Sequence, residues 1–362
     1  MASSHRKTLA RWWIFSPKWD MAVFWGSALF SLFALFVGHQ LGILNEESPD
    51  WTWVYAVLLV DVAHVWSTGF RVYFDKEEMA RRPFLYYGVP VVSFAIGCGL
   101  YSMGSDVFWR CLAYLAVWHF VRQQYGWVAL YRRRAGEPRD WEYYLDTATI
   151  YVATIYPLLW WHANLPRRFW WFLEGDFARL PSEWVAFLAP VYWLTLAAYA
   201  IKMVRSYLQG RGHPGKDTVV FTTWLCWYLG IVVFNSDYAF TVTNVLIHGI
   251  PYMALVYWYR EKKKTGNQPR FKWTQAIYPL LLIWFLAFAE EMFWDRAMWH
   301  ERSWLFGQPW DIGSLEVLLV PFLAVPQLTH YILDGFIWKR RETPKLGNST
   351  SIEQKPSEQN LQ

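Results

Sequence analysis

Apolar residues along this chain come in long unbroken runs, each closed by a short polar connection. Ten runs approach the roughly 20 residues needed to cross about 30 Å of hydrocarbon as a helix. They are Asp20 to Leu44, Trp51 to Tyr73, Pro83 to Tyr101, Val107 to Tyr131, Glu142 to Trp161, Trp184 to Leu208, Asp217 to Phe234, Ala239 to Tyr259, Thr274 to Phe293 and Leu315 to Trp338. The pattern predicts an all-α protein, a polytopic transmembrane helical bundle of about ten spans. The first run is too long in its apolar part, and lacks the small-residue cleavage site, to be a removable signal peptide. It is expected to stay as an anchor.

Lys and Arg give the orientation, because they are retained on the cytoplasmic side of short loops. The amino-terminal segment, every second connection and the carboxyl tail, counted with the run ends that adjoin them, hold 27 of the 34 basic residues; the opposite connections hold 5. Both termini are therefore expected in the cytoplasm. The division that follows is a cytoplasmic amino-terminal segment over 1–19, a transmembrane helical domain over 20–338, and a polar, disordered cytoplasmic tail over 339–362. Two connections rich in Trp, Arg and Phe, RRFWWFLEGDFARL and WDRAMWHERSWLFGQPW, read as segments lying on the outer interface.

Composition agrees and excludes other classes. Only 17% of the 362 residues are charged and 55% are hydrophobic, too little charge to cover a water-facing globule of this size. Mean hydropathy is only +0.08, since Trp and Tyr score as mildly polar and number 27 and 22; such rings favour the bilayer interface. Their main expected role is in interfacial belts and bundle packing, with a cavity shaped for a long polyene or acyl chain as the lesser one. Cys98, Cys111 and Cys226 have no neighbouring partner, which excludes a CxxC zinc site and a disulfide scaffold. The net charge of +5 is spread in short clusters between apolar runs, so it reflects topology and not a nucleic-acid partner. The expected partners are the lipid bilayer and a lipid-soluble small molecule, and the expected location is the bacterial inner membrane.

With no soluble domain, chemistry must sit among polar residues at membrane depth, where ionisable groups mark functional sites by default. Four histidines, His64, His119, His248 and His330, lie 13, 12, 9 and 15 residues in from the outer ends of runs two, four, eight and ten. At the helical rise this is about 14 to 23 Å, one layer near the midplane. Each has polar company at i+3 or i+4 spacing: Asp61 and Thr68 with His64, Arg122 and Gln123 with His119, Asn244 and Tyr252 with His248, Gln327 and Asp334 with His330. A single buried histidine is more often a hydrogen-bonded core residue than a ligand. Four at one depth, two with a carboxylate one turn away, point to a joint site.

Neutral imidazole is the commonest metal ligand, and nitrogen with carboxylate oxygen suits iron, copper or zinc. The expected ligand set is His64, His119, His248 and His330, with Asp61 and Asp334 as ligands or as acceptors that orient the imidazoles. Non-haem iron fits a site among apolar helices best; haem and zinc stay open. Arg122, Gln123 and Tyr125 of the RQQY cluster, together with Tyr252, are placed at the site wall as candidate catalytic residues. Arg122 is either in an ion pair with Asp61, Asp146 or Asp334, or holds an anionic head or a ligand carboxylate.

On the segments DVAH, WHFVRQQYG, IHGIPY and THYILDG, the chain resembles the Brp/Blh family of bacterial β-carotene dioxygenases. That resemblance implies a membrane-embedded non-haem iron held by the four histidines and cleavage of a polyene. The expected function is thus an iron-dependent oxygenase or oxidoreductase acting on a lipid-soluble substrate. A b-type haem electron carrier, a proton-coupled transporter or flippase using Asp61, His64, Arg122 and Asp334 as a relay, and a membrane acyltransferase with one histidine as base are the alternatives. The HxxxH and HxxHH boxes of membrane desaturases are absent.

Overall fold

A computed structural model describes residues 12–166, 171–234, 236–266 and 271–338. The expected tail over 339–362, most of the amino-terminal segment and the RRFW part of the first interfacial connection lie outside the described residues. Every regular element among the described residues is helical. The long helices are α1 (Pro17–Leu41), α2 (Asp50–Arg71), α3 (Pro83–Ser102), α4 (Ser105–Ala135), α5 (Trp141–Ala163), α6 (Ser182–Leu208), α7 (Pro214–Trp227, continued by Tyr228–Val233), α8 (Asp237–Thr265), α9 (Trp273–Trp299) and α10 (Gly313–Ile337). Each coincides with one of the ten apolar runs.

Seven of these, α1, α2, α3, α6, α8, α9 and α10, are long and apolar enough to cross a membrane. The other three, α4, α5 and α7, carry the Thr, Gln, Asp and Arg residues that lower their hydropathy. They hold buried polar side chains, among them His119, Gln123, Asp146, Thr154 and Thr222. Burial separates the helices further: 83% of the apolar window of α8 is buried, against 11% of that of α6. Helix α8 is therefore the central post, and α6 packs at the periphery.

Helix boundaries follow local chemistry. Ser16 caps α1 by accepting from Trp19 N at 3.3 Å, with Pro17 at the first helical position; there proline loses no backbone hydrogen bond. Ser236 caps α8 through Ala239 N at 3.1 Å, and Asp140 caps α5 through Tyr143 N at 3.2 Å. Helix α4 ends where Gly136 takes φ 71°, a left-handed conformation that closes helices and suits a residue without Cβ.

The aromatic residues divide between surface and core. Trp19, Trp51, Trp118, Trp184 and Trp273 are exposed, whereas Trp109, Trp161 and Trp227 are fully buried. In the described parts of the two connections read as interfacial, some rings turn inward, Phe172, Trp294 and Trp299 packing on Trp109 at centroid distances of 5.2, 5.7 and 5.2 Å, while Trp304 stays exposed. Stacking against a buried indole removes more apolar area from solvent than lying on a surface does, so these rings plug one end of the bundle.

At the opposite end, a buried ion cluster ties α4, α5, α6 and the start of α7 together. The carboxylate of Asp146, fully buried, contacts Lys202 Nζ at 2.5 Å and Lys216 Nζ at 2.9 Å and also pairs with Arg132. Glu137 accepts from Lys216 at 2.8 Å and from Arg132 at 2.9 Å. Asp146 is therefore a partner of these three cations and not of Arg122.

Candidate metal centre

Two of the four histidines follow stretches of widened helix. The backbone is π-helical over Trp53–Val62, ending just before His64, and over Thr241–Val245, ending just before His248. Such i→i+5 segments change which face a side chain presents, and they occur often at functional sites. Helices α2 and α8 approach closely here because residue 249 is glycine: a Cβ on Gly249 would lie 2.6 Å from Val60 Cγ1 and 3.1 Å from Val60 O. The close approach brings His248 Nε2 to 3.1 Å from His64 Nε2. His119 from α4 and His330 from α10 complete the group, with their Nε2 atoms also 3.1 Å apart.

One ring nitrogen from each of the four histidines lies within 4.8 Å of all the others, and all four residues are buried. The rings of His64 and His119 face each other with planes 16° apart. His248 and His330 stand edge-on to both, at centroid distances from 4.6 to 5.0 Å. Nitrogen ligands at zinc-like bond lengths are separated by about 3.0 to 3.4 Å in right-angled or tetrahedral arrangements, so the two 3.1 Å pairs already have coordination spacing. Aromatic nitrogens this close repel through their lone pairs unless a proton or a cation lies between them. A single cation at the centre satisfies both pairs at once, and the donor set fits a metal.

The far sides of the rings are partly fixed. His330 Nδ1 is 2.7 Å from Thr68 Oγ1, which is 3.1 Å from the Tyr252 hydroxyl. His64 Nδ1 lies 3.5 Å from Asp61 Oδ1, and His119 Nδ1 lies 3.9 Å from Asp334 Oδ2. Both carboxylates thus stand at Nδ1, on the side of the ring away from the facing nitrogens. This keeps them out of the converging ligand atoms; neither is hydrogen-bonded to its histidine, and Asp334 accepts from Trp338 Nε1 at 2.8 Å instead. His248 is held otherwise: its ring stacks on Phe120 at 3.7 Å with planes 6° apart, and its backbone carbonyl accepts from Gln123 Nε2 at 3.0 Å. Its Nδ1 has no hydrogen-bond partner among the described residues.

Of the RQQY residues, Gln123 joins the site and Gln124 binds Thr223 Oγ1 at 2.9 Å. Arg122 and Tyr125 do not join it. Arg122 is exposed, hydrogen-bonds the Tyr151 hydroxyl and lies over the Tyr125 ring at 4.9 Å. Tyr125 stacks on Tyr151 and meets Tyr143 OH at 3.2 Å. The reason is helical phase. Relative to His119, Gln123 is rotated by about 40° one way and Arg122 by about 60° the other, with Tyr125 about 120° away. The i+3 spacing grouped Arg122 with His119, but the buried arc of α4 ends between them. Tyr125 thus lies on the flank and not at the site wall, and Arg122 makes this flank contact with no ion pair to Asp61, Asp146 or Asp334 among the described residues, although its charge still acts on Asp334.

Several neighbours escape a reading by histidines alone. Tyr331 stacks on His119 at 4.7 Å. Glu290 of α9, buried, accepts from Trp66 Nε1 at 2.6 Å and lies 3.5 Å from Gln327 Nε2. The pair of acids in AEEMFW, inside an apolar run, was the available signal for Glu290. A cavity of about 490 Å³ opens beside these residues, lined by Asp61, Glu291 and Gln327 deep inside and by Asp50, Asp237 and Arg302 nearer the helix ends, with Trp109, Trp171 and Trp299 in its wall. It gives one carboxylate of the site, Asp61, a polar approach from the end formed by the 42–49 and 300–312 connections.

Comparison with protein-family models, with curated proteins and with solved structures finds no match to this chain.

Proposed function

We propose that this is an integral membrane metalloenzyme of the bacterial cytoplasmic membrane, crossing it ten times with both termini inside, and that the metal is non-haem iron. The observation that carries the reading is the convergence of four buried imidazoles, from four helices, with their nitrogens face to face. The spacing favours a bare ion over haem: the facing rings of His64 and His119 are 6.3 Å apart, and the rings of His248 and His330 stand within 5.0 Å of each of them, in the space a porphyrin between them would need. Bound there, iron would supply oxidative chemistry with dioxygen, which is apolar and dissolves in the bilayer.

The protein's own contribution is positioning. Thr68, itself in contact with Tyr252, holds His330, Gln123 holds the α8 backbone at His248, and Asp61 and Asp334 stand beside His64 and His119, where a small shift on metal binding would let them accept from Nδ1. The expected substrate is a lipid-soluble molecule, and the likeness to the Brp/Blh dioxygenases points to a polyene. The indole walls of the adjoining cavity are compatible with such a reactant, while Asp61 gives it a polar floor.

Metal analysis of detergent-purified wild type and of His119→Ala and His330→Ala tests the site. Near-stoichiometric iron in the wild type, lost in both variants, is the expected result. Incubation of iron-loaded protein with membrane lipids and carotenoids, with and without oxygen, followed by mass spectrometry of products, tests the reaction. A haem absorption spectrum, or ion-gradient-driven flux without oxygen dependence, would overturn the proposal. Cysteines replacing Glu47 and Lys263 should label from opposite sides of the membrane; labelling from the same side would refute the topology.

A further inference from the structure

A second cavity, of about 280 Å³, lies on another side of the bundle between α1, α2, α8 and α9. Its wall is almost entirely apolar, with Val23, Phe70, Met253, Leu280 and Ile283 among the lining residues. The slot exists because α8 and α9 present small side chains to it, Ala254 and Ala276. From Ile250 to Arg260 it follows eleven residues of α8, about 15 Å of helix. An apolar space of this shape repels water, and in a membrane protein the material at hand to fill it is an acyl chain.

Arg260 is the charged residue in its wall, beside Ser67 and Tyr257. The guanidinium lies over the Phe70 ring at 5.1 Å, its Nε is 4.0 Å from Glu261 Oε1, and its Nη1 is buried without a hydrogen-bond partner among the described residues. An arginine stays charged at any physiological pH, and its fork of donors matches phosphate. A buried donor with no acceptor is unfavourable, so the arrangement is short of one anionic oxygen. The end of α8 and the connection after it, 260–272, contain six Lys or Arg residues, which adds attraction for net negative charge at a membrane surface.

We infer that this slot is a binding site for one phospholipid with an anionic head group, one acyl chain lying along α8 and the phosphate at Arg260. The site is separate from the histidine cluster and does not depend on a metal being bound there.

Native mass spectrometry of the purified full-length protein, with and without loaded metal, tests it. The probes are palmitoyl-oleoyl phosphatidylglycerol and phosphatidylcholine with the same chains. The wild type should retain one phosphatidylglycerol and prefer it about tenfold, because the choline cation of phosphatidylcholine offsets the charge of the phosphate that Arg260 would meet. Ala276→Phe, which fills the slot, should lose that lipid, whereas Leu281→Phe, on the exposed face of the same helix, should keep it. Arg260→Gln should lose most of that preference. Equal retention in Ala276→Phe and Leu281→Phe, or an undiminished preference in Arg260→Gln, overturns the inference. Should Ala276→Phe fail to fold, the lipid preference of Arg260→Gln decides alone.

Discussion

Replacing Gly249 by alanine should separate the metal ligands without touching any of them. The added Cβ would meet Val60 Cγ1 at 2.6 Å and Val60 O at 3.1 Å, whereas ordinary contact begins at 3.4 Å. If Val60 keeps its rotamer, α2 and α8 must part by about 0.8 Å; if it rotates away, the carbonyl still demands about 0.3 Å. Metal sites tolerate about 0.2 Å of error in ligand distance, and His64 and His248 are the pair bridged at this crossing, 3.1 Å apart. Gly249→Ala should therefore lower metal retention about tenfold or more, while overpacking destabilises the fold by about 1 to 3 kcal/mol. The double variant Val60→Ala, Gly249→Ala removes the methyl clash and should recover part of the retention. Metal content after dialysis against a graded chelator reads the first effect, and a thermal melt in detergent reads the second. Wild-type retention in Gly249→Ala, with the fold intact, would refute the claim that this crossing sets the ligand spacing.

Asp61→Asn and Asp334→Asn should each weaken metal retention by about 10 to 100-fold, the usual effect of groups that orient imidazole ligands, and leave a folded protein; unchanged retention in both would reduce them to structural residues. Asp146→Ala leaves Arg132, Lys202 and Lys216 facing one another in a buried site, and should destabilise the protein by about 3 to 5 kcal/mol, seen as a fall in thermal midpoint without loss of metal per folded molecule. His213, in the connection before α7, has its pKa pushed down to about 3, first by burial and then by the charge of Lys216. It stays neutral in the folded state while the unfolded chain takes up a proton below about pH 6.5. The stability it confers is complete above that pH and falls by up to about 1.4 kcal/mol per unit as the pH drops toward 3. Thermal midpoints of wild type should therefore decline more steeply than those of His213→Gln between pH 6.5 and 4.5, and parallel curves would contradict the shift.

The positions of the long helices and the common level of the four histidines were legible in the chain because each is set by one-dimensional quantities. Run length against bilayer thickness defines a span, and residue count times rise defines a depth. The same arithmetic put His64, His119, His248 and His330 at one level. Depth alone left their azimuth open, and azimuth depends on helix packing. Residues such as Arg122 show the limit: three residues from His119, it shares a nominal face, yet falls just beyond the edge of the buried arc and turns to Tyr151. Two further properties were out of reach of periodicity. The π-helical stretches before His64 and His248 change the phase of everything after them, since a wheel drawn at 100° per residue assumes an unbroken α-helix. The close crossing at Gly249 depends on a contact 189 residues away in the chain, with Val60. Only the packed bundle decides that four imidazole nitrogens meet within 4.8 Å, because that outcome requires four helices to agree in rotation as well as in depth.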